Sequence, residues 1–196
     1  MSKTLIGCGL VVVGLIVLVA LMVAGIYNNL VGLEEGVDAA WGQVENVYQR
    51  RADLIPNLVA TVKGAADFEQ ETLQNVIEAR SKVGQMNIEG APTPEQMQSF
   101  QANQDALSSA LSRLLVVVER YPELKAVDAF RDLQVQLEGT ENRIAVERNR
   151  YNEAARAFNT ARRKFPAVMI ANMLGFGDKG YFESKPGADE PPAVEF

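Results

Sequence analysis

Histidine is absent from the 196 residues. That removes the commonest general base, the commonest metal ligand and the usual switch near neutral pH. Cysteine occurs once, as Cys8 in an apolar run, so no intramolecular disulfide forms and a zinc site lacks its ligands. There is no long basic run and the net charge is −6, which argues against a nucleic-acid partner. No segment reads as a strand of useful length. Paired carboxylates, a phosphate-cradling glycine loop and a nucleophile beside a base are missing as well. The expectation is no cofactor, no metal and no enzyme activity.

What is present begins with LIGCGLVVVGLIVLVALMVAGIY, residues 5–27, which carries no charge. At 1.5 Å per residue it reaches roughly 34 Å, slightly more than a bilayer's hydrocarbon core. A cleaved signal peptide has a shorter apolar core ending at a small-residue site. Here helical periodicity continues straight out of the run. The reading is a retained membrane anchor through Leu5, Val12, Leu18 and Tyr27, after a short segment of residues 1–4. Lys3 and the terminal amine precede it. Glu34, Glu35, Asp38 and Glu45 follow, with no lysine or arginine before Arg50. By the positive-inside rule this predicts a single pass of the bacterial cytoplasmic membrane, with the N-terminus in the cytoplasm and the domain outside.

Beyond the anchor, apolar positions step by three and four: Leu30, Leu33, Val37, Trp41, Val44, Val47, Leu54, Leu58, Val62 and Ala65. The stripe continues through Leu73, Val76, Ile77 and Val83. Residues 86–94, MNIEGAPTP, read as a loop. Thr93-Pro94-Glu95-Gln96 is a helix start, with a capping threonine, proline at the first position and glutamine three residues on. Tyr121-Pro122-Glu123 is a second restart. The last helix carries Phe130, Leu137, Ile144, Tyr151, Phe158 and Phe165 at intervals of seven, a repeat suited to coiled-coil-like packing. The fold class is all-α: an antiparallel bundle of three to four long helices, residues 28–175, and a largely flexible tail, residues 176–196. Pro56 decides the count. It either kinks the first long helix, leaving three rods, or breaks it, giving an up-down four-helix bundle. In the four-helix version Arg162-Arg163-Lys164 and the apolar AVMIANMLGF return toward the membrane. The simpler reading is that these cations complement the helix dipole and the apolar stretch packs on the bundle.

A set of polar residues falls on or beside the core-facing seams: Arg50, Arg51, Asp53 and Asn57 in one helix, and Glu141, Asn142, Arg143, Arg148 and Asn152 in another. Arg51 lies on the stripe itself, seven after Val44 and seven before Leu58. A buried charge is expensive unless paired. Arg51 is therefore expected to pair with Glu141 across helices, fixing register, while the asparagines satisfy neighbouring groups. This is a structural cluster, not a catalytic one.

These residues resemble the LemA family of bacterial membrane proteins. The likeness runs from Tyr27-Asn28 through Ala40-Trp41 to Arg50-Arg51-x-Asp53-Leu54-Ile55-Pro56-Asn57-Leu58-Val59 and Thr61-Val62-Lys63-Gly64. It resumes at Tyr121-Pro122-x-Leu124-Lys125-Ala126, Glu141-Asn142-Arg143-Ile144-Ala145, Tyr151-Asn152, Phe158-Asn159 and Phe165-Pro166. The resemblance implies one N-terminal membrane helix, a helical bundle and an unsettled molecular function. It also implies the opposite orientation, with the short N-terminus outside. The expected function is a non-enzymatic membrane-anchored scaffold or adaptor that self-associates or binds an envelope protein. The alternative is a sensor signalling by helix shifts to a partner. Expected partners are the lipid bilayer, further copies of the chain and an unidentified membrane or envelope protein.

Overall fold

The computed structural model describes residues 2–64 and 69–183. Six helices follow in order: α1 Ser2–Lys63, α2 Gln70–Gly84, α3 Pro94–Val118, α4 Pro122–Lys125, α5 Asp128–Arg163 and α6 Ala167–Leu174. Among the described residues there is no strand. The fold is all-α. Four of the helices, α1, α2, α3 and α5, run up and down, with α1 against α5 and α2 against α3. α4 is a single turn linking α3 to α5.

α1 is one unbroken helix of 62 residues. It begins in the apolar run, where the described side chains through Val19 are exposed, and ends inside the bundle, where Leu58 and Val62 are buried. Pro56 does not break it. A proline at this point leaves the carbonyl of Ala52, four residues earlier, without its helical donor. Arg80 of α2 supplies one: its Nε donates to the Ala52 carbonyl at 3.0 Å. Pro56 itself is exposed, so its ring displaces no core side chain.

The bundle has four long helices for a different reason. The stripe read from Leu30 to Val83 belongs to two helices, divided after Lys63. Lys63-Gly64 is a helix-stop signal, a cation in the last turn with glycine after it. α2 then descends, burying Leu73 and Val76 but leaving Ile77 half-exposed at 51%. Ala65 lies outside the described residues. α3 starts where expected. The Thr93 hydroxyl accepts from the Gln96 N–H at 3.3 Å, and the Gln96 side chain accepts from the Thr93 N–H at 2.9 Å.

α5 buries Phe130, Leu137, Ile144, Tyr151 and Phe158, five members of the seven-residue series. The sixth, Phe165, departs from it. α5 ends at Arg163, Lys164 turns extended, and Phe165 is 81% exposed. The expected tail boundary at 176 is also displaced. Residues 176–183 fold onto the bundle, with Phe176 and Phe182 in its core. The remainder of the tail lies outside the described residues.

The core divides into two apolar clusters. The upper one, distal to the N-terminal apolar run, gathers Ile55, Leu58, Leu107, Leu114, Phe130 and Leu137. The lower one gathers Leu30, Trp41, Tyr48, Phe100, Tyr151 and Phe158. Between them lies a polar layer.

Candidate functional site

Arg51 sits at the centre of that layer, between Tyr48 below and Ile55 above on α1. Its side chain is 1% exposed. Nη1 donates to Glu141 Oε1 of α5 at 2.6 Å and to Ser108 Oγ of α3 at 2.8 Å. Nη2 donates to the Gln104 side-chain carbonyl of α3 and approaches the Gln104 backbone carbonyl at 3.4 Å. The guanidinium carbon lies 5.0 Å from the centre of the Tyr48 ring. Nε is buried without a partner. One arginine thus ties three helices at one level.

A second arginine completes the layer's lower edge. Arg148 Nε donates to the Tyr48 hydroxyl at 2.7 Å. Burial raises the Tyr48 hydroxyl above its ordinary pKa, and the nearby Arg148 charge works against that. Glu141 is half in solvent and borders a cavity of about 310 Å³ between α3 and α5, lined by Ser108, Leu111, Leu137 and Glu138. The contacts of this layer hold three helices at one level. The guanidinium engages Glu141, and Ser108 faces a donor instead of a base.

The structure brings Arg51, Glu141 and Arg148 into this layer. It places the other expected members elsewhere. Arg50, Asp53 and Asn57 are exposed on the outer face of α1, where Asp53 accepts from Gln49 at 2.8 Å. Asn142 and Arg143 are exposed on α5. Of the anchor residues, Val12, Leu18 and Tyr27 are exposed on α1, and the Leu5 side chain lies outside the described set.

Asn152 belongs to a second site. The extended segment 176–183 runs across α5 and α3 and is gripped by three carboxamides, each with two hydrogen bonds to its backbone; Asn159 also donates to the Tyr181 hydroxyl at 3.0 Å. Asn159 accepts from the Lys179 N–H at 3.0 Å and donates to its carbonyl at 2.9 Å. Asn152 does the same to Phe182, at 2.9 and 3.0 Å. Gln101 of α3 does it to Glu183, at 3.1 and 2.9 Å. The Tyr151 hydroxyl donates to the Gly180 carbonyl at 3.0 Å. Burial first, then the negative charge of Asp38 and Tyr181, keeps that hydroxyl protonated well above the usual tyrosine range.

Side chains add selectivity to this backbone grip. The Phe182 ring enters a cage of Trp41, Phe100 and Tyr151, with centroids at 6.4, 6.2 and 5.7 Å. Lys179 Nζ donates to Glu34 of α1 at 2.7 Å, and Asp178 accepts from Arg162 at 3.0 Å. Gly180 passes so close to α3 that a Cβ there would lie 2.6 Å from Met97 Cβ and 2.8 Å from the Thr93 carbonyl oxygen. Only glycine fits.

Sequence reasoning missed this clamp. The available signal was aromatic content: Phe176, Tyr181 and Phe182 stand in a stretch otherwise read as tail, and unstructured tails are poor in aromatics. The seven-residue spacing of Asn152 and Asn159 put both carboxamides on one face of α5. Trp41 is buried in the lower core. Glu45, one turn on, has its carboxyl raised chiefly by burial, with a hydrogen bond from the Trp41 indole working against that. Among the described residues no group of acidic or cysteine side chains is arranged to hold a metal.

A long apolar N-terminal helix, running on as a core element of a small bundle that is held in register by a buried arginine and closed by its own C-terminal segment, defines a class of helical protein with, among the described residues, one candidate membrane span. The chain belongs to the LemA family, whose profile matches residues 40–196. It is similar to the magnetosome protein MamQ 2 of Paramagnetospirillum magneticum, 28% identical over 84% of this chain and 67% of that protein. It is similar to MamQ of Magnetospirillum gryphiswaldense at 26% identity over the same shares. Protein LemA of Metamycoplasma hominis is 22% identical over 80% of this chain and 68% of that protein.

Proposed function

We propose that the protein is a non-enzymatic scaffold anchored in the cytoplasmic membrane by residues 5–27, whose bundle self-associates or receives a membrane or envelope protein. The observation that carries this reading is the continuity of α1, which joins the apolar run and the bundle core in one rod. A bundle held so is presented at a fixed orientation, and anchoring in two dimensions raises effective concentration enough for weak contacts to become assemblies. The polar layer supports the same reading, because its charges are turned inward on one another. Relatives named for the magnetosome support a role in membrane organisation.

The test is the mass of the full-length protein in lipid nanodiscs by light scattering, together with crosslinking in native membranes. A discrete oligomer or a captured envelope partner is the expected result. A protein that stays monomeric at high concentration and crosslinks to nothing overturns the scaffold reading. The charge distribution favours the bundle outside and the N-terminus in the cytoplasm. In a Cys8→Ser chain, Ala102→Cys should then react with a membrane-impermeant maleimide on intact spheroplasts. Reaction only after lysis reverses the orientation.

A further inference from the structure

We propose that the exposed face of α6 is a membrane foot, resting in the interfacial layer of the bilayer that Leu5–Tyr27 enters. The inference rests on reading Leu5–Tyr27 as a span, and adds a second, peripheral lipid contact to it.

α6, AVMIANML, contains no charge. One side of it, Ile170 and Ala171, is buried against the bundle. The other presents Met169 at 66%, Met173 at 73% and Leu174 at 47% exposure, and Phe165 just before the helix is 81% exposed. Three large apolar side chains on a short helix, with a fourth just before it, are an unusual use of surface, and such patches mark a partner or a membrane.

The helix register says which. α1 and α5 are antiparallel, with Arg51 beside Glu141, Tyr48 beside Arg148 and Trp41 beside Tyr151. Carried to the end of α5, that register puts Arg163 level with about residues 29–33, just above the end of the apolar run. α6 continues from there and packs on both α1 and α5. Directly after it, the Phe176 ring meets the Tyr27 ring edge-on at 6.0 Å. Tyr27 is the last residue of the apolar run. The exposed face of α6 therefore lies near the level where the span leaves the bilayer.

A protein partner fits this face less well. A stable protein interface needs about 800 Å² per partner, more than four side chains on so short a helix present. Electrostatics make a small contribution. Arg162 and Arg163 are both bound to Asp178, and Lys164 is the member of that basic run with no ion pair among the described residues. Contact is thus made by apolar insertion, with weak dependence on salt and on anionic lipid.

The experiment uses the full chain, Cys8→Ser, reconstituted in phosphatidylcholine–phosphatidylglycerol vesicles. A polarity-sensitive fluorophore is placed on one introduced cysteine at a time: Met169→Cys, Met173→Cys, Val12→Cys within the run, or Val116→Cys at the far end of α3, where Val116 is 69% exposed. Quenching is read against lipids brominated near the headgroups or near the chain ends, and against aqueous iodide. At positions 169 and 173 we expect blue-shifted emission and about twofold stronger quenching by shallow than by deep bromines, as befits side chains ~5–10 Å into the boundary. Position 12 should respond to deep bromines and position 116 to iodide alone. Positions 169 and 173 open to iodide and blind to bromines, with position 12 quenched, overturn the foot and leave the span standing. Protection from both quenchers assigns the face to a protein and also overturns it. If position 12 is not quenched by lipid, the span reading fails and the foot falls with it.

Discussion

Arg51 is shut away from solvent, so its energetics are those of a buried charge. Removing Glu141 leaves the guanidinium with Ser108 and Gln104, and the adjoining cavity admits water to the vacated place. Glu141→Ala should therefore cost about 2 kcal/mol, less than the ~3–5 kcal/mol of a fully buried pair because Glu141 is half in solvent. Replacing both partners by neutral, similarly shaped groups, Arg51→Met with Glu141→Gln, should restore most of that loss. Chemical denaturation of the natural chain and these variants checks it. A double variant no more stable than Glu141→Ala would refute the pairing as the main source of the loss. The tyrosines give a pH dependence. Tyr48 and Tyr151 both have raised hydroxyl pKa values in the folded chain. A raised value means their contribution is fully present below the unfolded tyrosine value of about 10 and is lost as pH rises beyond it. Melting temperature should fall steeply above that pH, and Tyr151→Phe should flatten the fall. Arg51 was legible in the sequence because it broke an apolar stripe, and Glu141 because it flanked a facing seam. Gln104 and Ser108 were not, since spacing identifies a face of one helix and says nothing of which face it meets.

At the scale of the helix, Pro56 and Arg80 form a unit. The proline removes a donor, and the arginine from the next helix replaces it. Arg80→Ala should cost about 1 kcal/mol in the natural chain and close to nothing when Pro56→Ala restores the backbone donor. A double-mutant cycle measures that coupling, and additive effects would show the two residues to be independent. Thr93→Ala should cost about 1 kcal/mol by removing the capping box at the start of α3. Proline in the sequence marked a problem in the helix, but the remedy lay on α2, 28 positions beyond Ala52, where no local pattern points. The division at Gly64 is the reverse case. Its stop signal is local and readable, yet the unbroken apolar stripe on either side outweighs it, because two antiparallel helices lining one core share a period.

For the molecule as a whole, the C-terminal segment is the piece that sequence described least well and that the fold most depends on at its lower end. Its backbone grip comes from Gln101, Asn152 and Asn159 on two helices, and its Phe182 ring completes the aromatic cage around Trp41. Phe182→Ala should destabilise the chain by about 3 kcal/mol and shift the emission of its single tryptophan to the red. Gly180→Ala should do the same without removing any side chain, by pushing the segment off α3. Unchanged Trp41 emission in both would mean that the segment is not seated there in solution. Composition made this stretch look like tail, since the contacts that order it come from residues far upstream.

The continuity of α1 sets a length. From Tyr27 to Lys63 the helix rises about 54 Å at 1.5 Å per residue. With residues 5–27 in a bilayer, the connection between α1 and α2 stands that far above the surface and the foot lies at it, while the connection between α2 and α3, bonded to Asp38, and the clamp, level with Trp41, lie about 16–21 Å up. The molecule has, in effect, a base and a summit at a fixed separation. Whatever docks at the summit is kept at one standoff distance from the lipid, and neighbouring copies reach the same height, like posts of equal length under a deck.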